Sequence, residues 1–333
     1  MEQNGIIKIS LVLFLCLIVG CFNDQNVIES NSNYKKSNIF KVKTPQFNAD
    51  SAYAFIQKQV DFGPRVPNSD GHKNCANYLV NSFKRYGAEV VVQEDIVQRY
   101  DGLDMMMKNI IASYNVNAYK RVLLCAHWDT RFMADYDNIM VSEPIIGAND
   151  GGSGVGILLE IARQINLHPF DLGVDIVLFD VEDQGQPNGD INIVKDSWCL
   201  GSQYWSKTPH EKNYFADYGI LLDMVGAKNA QFTKEGASIY YAPKIVDKVW
   251  GVAQKNGFSS YFSLNQTDPI IDDHIYINNL IHIPTINIVE HDVNTHNKFN
   301  KNHHKHSDNM DIIDIKTLKA VGQTVIEVLY SEK

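Results

Sequence analysis

The stretch DIVLFDVEDQG, residues 175–185, changes from an apolar segment to a pair of adjacent acids. The run DIVLFD is typical of a strand buried on both faces of a parallel sheet. Glu182 and Asp183 follow it almost directly, and Gly185 ends the pattern. Two neighbouring carboxylates at the end of a buried strand repel each other and lose solvation. A positive charge is therefore expected beside them.

The segments on both sides of this stretch alternate between strand-like and helix-like patterns. Strands are predicted over 88–98, 108–114, 121–126, 175–180, 219–225 and 284–289. Helices are predicted over 51–60, 71–87, 151–165, 243–257 and 315–330. This alternation predicts an α/β sandwich with a largely parallel sheet. Because no internal repeat and no second composition regime occurs, residues 45–333 are interpreted as a single catalytic domain.

Composition limits the classes of function. The chain has 333 residues, 44% of them hydrophobic, and a formal net charge of −9, which suits one large core. The acidic balance disfavours nucleic acid as a partner, since the only basic cluster, KNHHKH (301–306), is mainly histidine. No C-x-x-C pair occurs, which excludes a Cys-rich zinc knuckle. The five cysteines lie at positions 16, 21, 75, 125 and 199.

The N-terminus is interpreted as a targeting segment. Lys8 precedes the apolar run 9–20, which is too short for an ordinary membrane-spanning helix. The run ends in Gly20-Cys21, which resembles the lipobox of bacterial lipoprotein signal peptides. We therefore expect a signal peptide over 1–20, a lipid anchor at Cys21 as the only membrane contact, and a polar tether over 21–44. The mature protein is then exported to the cell envelope, periplasmic or surface-facing. A plain secretory signal is the alternative.

Acids and histidines follow the predicted strands at the point where each strand ends. In open α/β sheets, ligands bind beyond the carboxyl ends of the strands. Carboxylates and imidazoles are ligands for zinc, and manganese is an alternative because no cysteine belongs to the set. The sequence therefore predicts a metal at this edge of the sheet. The residues concerned are His127, Asp129, Asp150, Glu182, Asp183, Asp223, Glu290, His291, Asp292 and the run HHKHSDN (303–309).

Longer motifs carry a family resemblance. AHWDT (126–130), GANDGGSG (147–154), FDVEDQG (179–185), LLDMVG (221–226) and HKHSDN (304–309) occur in the order seen in zinc-dependent aminopeptidases and their relatives. GPRVPNSDGHKNCANYL (63–79), DSWCLGSQYW (196–205) and IIDDHIYINN (270–279) resemble the glutaminyl-peptide cyclotransferase branch, the glutaminyl cyclases. The resemblance covers about residues 50–330. It implies a three-layer sandwich, in which helices flank a central mixed, mostly parallel sheet.

The resemblance also implies an activity and its metal site. Glutaminyl cyclases convert the N-terminal Gln of peptides and proteins into pyroglutamate with release of ammonia. Asp150, Asp183 and His304 match the three ligands of one catalytic zinc, so one Zn²⁺ per chain is expected. Glu182 matches the general acid/base. His303 or His306 is an alternative to His304 as the ligand.

Further residues are assigned to the pocket on the same resemblance. Asp223 and Asp272 match acids that position the substrate, and Trp198 lies in a segment that supplies a pocket aromatic. His127 matches an additional metal ligand of the aminopeptidases. The predicted substrate pocket comprises Trp198, His127, His303 and Asn287. Two simpler interpretations are an N-cap for Asp150 and a core aromatic for Trp198.

A secreted zinc aminopeptidase is the nearest alternative function. Asp272, beside Asp273 and His274, favours the cyclase. A non-catalytic lipoprotein that binds peptides is disfavoured, because competent residues occupy all the expected chemical positions. A serine hydrolase is excluded because no G-x-S-x-G occurs. The partners expected are peptide or protein N-termini bearing Gln, and the chain is expected to be a monomer. The two metals of the aminopeptidase would be held by His127, Asp150, Asp183, Asp223 and His304.

Overall fold

The predicted strand at 175–180 lies, except for Asp180, in β4 (Gly173–Phe179), in the interior of a six-stranded sheet. The sheet has the order β1-β2-β4-β3-β5-β8, and β6 and β7 form a separate two-stranded sheet. In chain order, the strands are β1 (Glu89–Gln98), β2 (Asp104–Tyr114), β3 (Arg121–His127), β4 (Gly173–Phe179), β5 (Tyr218–Asp223), β6 (Phe232–Glu235), β7 (Phe262–Thr267) and β8 (Thr285–Val289).

This computed structural model describes residues 43–189, 192–292 and 294–332. They belong to one compact unit. The predicted signal peptide, the lipid anchor at Cys21 and nearly all of the tether lie outside the described residues. The α-helices are α1 (Ala49–Val60), α2 (Asp70–Arg85), α3 (Gly152–Leu167), α4 (Leu200–Lys207), α5 (Gly236–Tyr241), α6 (Pro243–Lys255), α7 (Asp273–Tyr276) and α8 (Ile315–Ser331).

The predicted fold class is confirmed. Strands β4, β3, β5 and β8 pair in parallel, whereas β1 and β2 pair antiparallel with each other, and β2 with β4. The sheet is therefore mixed and mostly parallel. Among the helices over the described residues, none combines the length and apolarity that crossing a membrane requires.

Two cores cover the two faces of the sheet, as the period of two along a strand requires. On β3, Val122 and Leu124 belong to the larger core, to which α1, α3, α6 and α8 contribute. The intervening Leu123 and Cys125 belong to a smaller core, which includes Trp205 of α4. Helices therefore lie on both sides of the sheet and give the three layers.

Local sequence signals explain where the main helices begin and end. The Asn48 side chain accepts a hydrogen bond from Ser51 N and caps α1, and Ser69 does the same for His72 N at α2. Gly87, with φ +79°, follows the end of α2 as predicted. Strand β5 ends at Asp223, two residues earlier than predicted, because Met224 has φ +48° and leaves the extended conformation.

Candidate active site

The carboxyl ends of the parallel strands meet at one edge of the sheet. His127 is the last residue of β3 and pairs in register with Phe179 at the end of β4. Asp223 is the last residue of β5 and pairs with Val289 at the end of β8. The loop after β4 carries Glu182 and Asp183 to the same edge. The sheet topology thus gathers residues that are far apart in sequence.

A buried carboxylate shapes the loop after β4. Val181 has φ +57°, which turns the chain sharply after the strand. Asp129 then accepts hydrogen bonds from the backbone N–H of Glu182 at 3.1 Å and of Asp183 at 3.2 Å, and from the Gln184 amide at 3.0 Å. Asp129 therefore fixes the backbone of the two adjacent acids, and its own charge is satisfied by three donors.

Asp150 is held by a second buried carboxylate. Asp308 accepts hydrogen bonds from the backbone N–H of Asn149 at 2.8 Å and of Asp150 at 3.0 Å. Helix α3 begins at Gly152, and its N-cap is Gly151, whose φ is +83°. The Asp150 side chain makes no cap to this helix. The N-cap interpretation of Asp150 is therefore wrong, and the carboxylate is free to face the other site residues.

The three predicted metal ligands lie together. His304 Nε2 is 2.9 Å from Asp183 Oδ1 and 3.8 Å from Asp150 Oδ2. All three side chains are buried. Apart from the contact with His304, Asp150 Oδ2 and the two carboxylate oxygens of Asp183 have no hydrogen-bond partner among the described residues. Buried anionic oxygens without partners are costly, so this arrangement fits a divalent cation bound by two carboxylates and an imidazole.

The electrostatics of Asp183 and His304 agree with a site for a positive charge, whereas the contact with His127 holds the pKa of Asp150 below its usual value despite burial. Burial raises the pKa of Asp183, and the charge of Asp150 raises it further, while His304 opposes this shift. Burial lowers the pKa of His304, but the carboxylates of Asp183 and Asp135 outweigh that effect and raise it to about 9. Without a cation, the site would therefore retain protons to offset its carboxylates.

The three histidines of the 303–306 segment have different environments. His304 faces Asp183, whereas His306 Nε2 contacts the carbonyl oxygen of Met140 at 3.1 Å. His303 stacks on His304 with ring centroids 3.7 Å apart, and its Nε2 is 3.8 Å from Asp150 Oδ2. His303 thus remains a neighbour of the metal position, and Asp150, His303 and His304 form one group that could hold an ion.

A carboxylate and a guanidinium orient His304. Asp135 Oδ1 lies 3.0 Å from His304 Nδ1, which leaves Nε2 directed at Asp183. Arg131 donates to Asp135 Oδ2 at 2.7 Å and to the carbonyl oxygens of Asp183 at 3.1 Å and Gly185 at 2.7 Å. Arg131 therefore links Asp135, the residue that orients His304, to the loop that carries Asp183. Such carboxylate–histidine contacts fix the tautomer and orientation of metal-binding imidazoles.

We expect Asp135→Asn to weaken zinc binding by about 10–100-fold, the range seen when such supporting contacts are lost. The introduced asparagine amide carries no charge, so it no longer stabilises the N–H of the His304 ring or the Arg131 guanidinium. The measurement is the zinc dissociation constant by competition with a chromogenic chelator. Asp171→Asn is the matched control, because Asp171 is exposed and precedes the opposite end of β4. An unchanged constant in Asp135→Asn would show that Asp135 does not support the metal site.

Glu182 lies on the side of the site away from His304. Its Oε1 is 3.2 Å from Cys199 Sγ, and its Oε2 is 3.8 Å from His127 Nδ1. Burial raises the pKa of Glu182 well above its usual value, the positive charge of His127 opposes the shift, and the carboxylates of Asp183 and Asp272 add to it. A carboxyl group whose pKa is raised in this way can both accept and donate a proton near neutral pH.

Asp272 supplies a further acid to the same site. Its Oδ2 accepts a hydrogen bond from Asn287 Nδ2 at 2.5 Å, and its Oδ1 accepts one from Asp273 N at 2.6 Å. Burial raises the pKa of Asp272 to about 7, with a further contribution from Asp223. Glu182, Cys199 and Asp272 have side-chain atoms within 4.8 Å of one another. The acids therefore occupy one connected region beside the metal position.

These side chains border a cavity of about 220 Å³. Eight predicted site residues line it, together with five that the sequence did not indicate. The predicted ones are Asp150, Glu182, Asp183, Trp198, Asp223, Asp272, His303 and His304. The others are Tyr136, Asn188, Met224, Ile271 and Phe299. A larger, more open cleft of about 760 Å³ lies between the starts of α1 and α8 and contains none of the predicted site residues.

Two residues of the predicted substrate pocket do not line this cavity. His127 is buried, and its Nε2 lies 3.0 Å from Asp150 Oδ1 and 3.2 Å from Asp223 Oδ1. Asn287 is buried behind Asp272. Both pack against acids that face the cavity, so their assignment to the pocket lining is corrected to a supporting position.

Trp198 is a cavity residue rather than a core aromatic. Its ring lies 4.4 Å from the Arg131 guanidinium and stacks on His304 at 5.9 Å between centroids. A Cβ atom at position 185 would lie 2.0 Å from the indole, so only glycine leaves room for this ring. Gly185 therefore also leaves the space that the Trp198 ring occupies at the edge of the cavity.

Comparison with known proteins agrees with this geometry. The sequence profile of peptidase family M28 matches residues 109–329. The chain belongs to peptidase family M28. The matched range begins in β2 and ends in α8, so it includes every strand end that carries a site residue. The resemblance to zinc-dependent aminopeptidases and glutaminyl cyclases is thereby confirmed at the level of the family.

Two solved structures are similar to this chain in both sequence and fold. A glutaminyl cyclase from Bacteroides thetaiotaomicron, bound to N-acetylhistamine, is 50% identical, with 87% of this chain and 100% of that chain covered and a TM-score of 0.85. A Zn-dependent exopeptidase from Parabacteroides distasonis is 49% identical, with the same coverage and a TM-score of 0.86.

A curated relative from Bos taurus, a glutaminyl-peptide cyclotransferase, is 24% identical over 218 residues, which are 59% of this chain. The match spans 59% of the relative's length as well.

Proposed function

We propose that this protein is a zinc-dependent glutaminyl cyclase, which converts the N-terminal Gln of peptides and proteins into pyroglutamate and releases ammonia. The observation that carries the proposal is the composition of one cavity. It is lined both by the candidate metal triad and by the acids Glu182 and Asp272. Glutaminyl cyclases among the solved relatives support the same activity.

The cavity suits a single terminal residue. Its volume of about 220 Å³ lies below that of pockets for drug-sized ligands. It has an aromatic wall, Trp198, and carboxylates that can receive a cationic α-amine. A glutaminyl side chain and its amine both fit the chemistry of this lining.

The reaction requires one proton to move between two nitrogens. The N-terminal amine forms a bond to the side-chain amide carbon, the bond from that carbon to the amide nitrogen breaks, and ammonia leaves. Glu182 takes the proton from the attacking amine and gives it to the leaving nitrogen. Asp223 and Asp272 orient the amine and the amide. Zinc, when bound, supplies a Lewis acid that polarises the amide carbonyl.

Asp150, Asp183 and His304 would hold that zinc, one ion per chain. Asp150 Oδ2 and Asp183 Oδ1 support this choice, because both lie near His304 Nε2 and neither accepts a hydrogen bond from another described residue. Asp150 Oδ1 and Asp223 Oδ1 instead contact His127. A two-metal aminopeptidase would need a second ion among His127, Asp150 and Asp223, which form a second group of donors.

Incubation with a Gln-initiated and a Leu-initiated peptide distinguishes the two activities. We expect the first peptide to lose ammonia and the second to remain intact, as measured by mass spectrometry. Elemental analysis of the purified protein should find about one zinc per chain. Release of free Leu together with two zinc ions per chain would assign the protein to the aminopeptidases instead.

The cellular setting is part of the proposal. The apolar run 9–20 before Cys21 supports export and a lipid anchor to the bacterial cell envelope. The chain is proposed to act as a monomer. Labelling with a radioactive or clickable fatty acid tests the anchor, and Cys21→Ser should abolish the label.

A further inference from the structure

A second cavity adjoins the catalytic one. It has a volume of about 410 Å³ and shares Asn188, Trp198 and Ile271 with the inner cavity. The metal triad, Asp223 and Asp272 of the inner cavity are buried. A peptide whose N-terminal residue reaches these buried groups must therefore continue outward past the shared residues.

The outer cavity is bordered by apolar side chains that are open to solvent. Ile193 is 85% exposed, Ile271 72% and Val194 43%. Pro187 lies beside them in the lining. Large aliphatic side chains grouped at this exposure commonly mark a binding surface, since burying them on a ligand is favourable. Polar side chains, Lys195 and Asp196, complete the lining.

Hydrogen bonds fix the shape of this cavity before any ligand binds. Gln186 Oε1 accepts from Val194 N at 2.7 Å, and Gln186 Nε2 donates to the carbonyl oxygen of Asn192 at 2.6 Å. The Tyr276 hydroxyl donates to Asp196 Oδ1 at 3.0 Å. Because these contacts hold both sides of the lining, binding costs little reorganisation.

We propose that the outer cavity is a subsite for the side chain of the residue that directly follows the N-terminal Gln, and that it selects an aliphatic or aromatic side chain there. This inference rests on the proposed function. Trp198 and Ile271 border both cavities, so the peptide bond after Gln passes between them. The next side chain then meets Ile193 and Val194 and buries apolar surface against them.

Kinetics with three peptide amides test the subsite. Gln-Leu amide is expected to show a kcat/KM about tenfold higher than Gln-Gly amide, the effect of partly burying one aliphatic side chain. Gln-Glu amide should resemble Gln-Gly amide. In Ile193→Asp, the ratio of Gln-Leu to Gln-Gly should fall close to one. Leu264→Asp is the matched control, because Leu264 is 63% exposed and lines neither cavity, and its ratio should stay at the wild-type value.

Binding separates the subsite from the proposed chemistry. Calorimetry with zinc-loaded Glu182→Gln protein ranks the same three peptides without turnover, and a tenfold lower Kd for Gln-Leu amide supports the subsite even if no peptide is cyclised. Absence of pyroglutamate from all three peptides with the wild-type protein contradicts only the proposed function. Equal Kd values for the three peptides overturn the subsite. So does concentration-dependent dimerisation that Ile193→Asp abolishes, because the apolar surface then belongs to a second copy of the chain.

Discussion

Glu182→Gln is expected to lower kcat by roughly 10²–10⁴-fold, the contribution of general acid/base catalysis. The amide keeps the size of the side chain but cannot carry a proton from the attacking amine to the leaving nitrogen. The Asp129 contacts to the backbone N–H groups of Glu182 and Asp183 do not involve the Glu182 side chain. The loop should therefore keep its shape, and the zinc content should stay at the wild-type value.

The measurement is steady-state release of ammonia from a Gln-initiated peptide, with zinc determined on the same sample. Glu211→Gln is the control, because Glu211 is an exposed acid in the loop after α4. It should keep full turnover. A Glu182→Gln protein with near-normal kcat and full zinc would remove Glu182 from the proton-transfer role and leave Asp272 as the remaining candidate.

The sequence predicts the central sheet well, because its strands are continuous apolar runs. RVLLCA and DIVLFD can only be buried on both faces, and burial on both faces requires helices on both sides. The short elements are a different case. Strand β6 has four residues and α7 has four, so neither carries a periodic pattern. Such elements form because tertiary contacts stabilise them rather than because local propensity does.

The residues at the strand ends could be predicted because the topology of a parallel sheet brings them together. The sequence does not show which of these residues holds another one in place. Asp308 holds the backbone at Asn149 and Asp150, which are 159 and 158 residues away in sequence. Asp135 contacts His304 across an even longer separation, and no local pattern marks it. A carboxylate that binds backbone N–H groups has the same sequence signature as one that faces solvent.

Neighbouring residues of the same type are also difficult to distinguish from the sequence alone. His303, His304 and His306 are equivalent in sequence, and only backbone direction separates them. His304 has φ +54°, which turns its ring toward Asp183, while His306 points to Met140. The ligand roles of Asp150, Asp183 and His304 stay predictions, since the structure establishes their proximity but metal binding must be measured.

Removal of the metal is expected to abolish pyroglutamate formation and to lower Tm by about 5 °C. A ligand bound only by the folded state stabilises it by about 2.7 kcal/mol at a hundredfold excess over Kd, and about 2 °C per kcal/mol applies to a domain of this size. Without the ion, only the neighbouring histidines, His127 and His304, offset the charges of the buried Asp150 and Asp183 carboxylates. Differential scanning fluorimetry of chelator-treated and zinc-restored protein provides the measurement.

The Tm difference should widen as pH rises from about 6.5 to 9, the interval between the ordinary pKa of histidine and that of His304 in the folded protein. Burial raises the pKa of Asp183, and the carboxylates around His304 raise its pKa to about 9. Because His304 keeps its proton to a higher pH in the folded metal-free protein than in the unfolded chain, the folded protein binds more protons in this range, and its stability falls as pH rises. Zinc displaces those protons, so it binds more tightly at higher pH.

Asp183→Ala is the control for this experiment, because a variant without the site should show no further change of Tm when the chelator is added. Added zinc should restore both activity and Tm in the wild-type protein. Pyroglutamate production that survives complete zinc removal would contradict the role assigned to Asp150, Asp183 and His304. A pH-independent Tm difference would instead show that the buried carboxylates keep the same protonation with and without the metal.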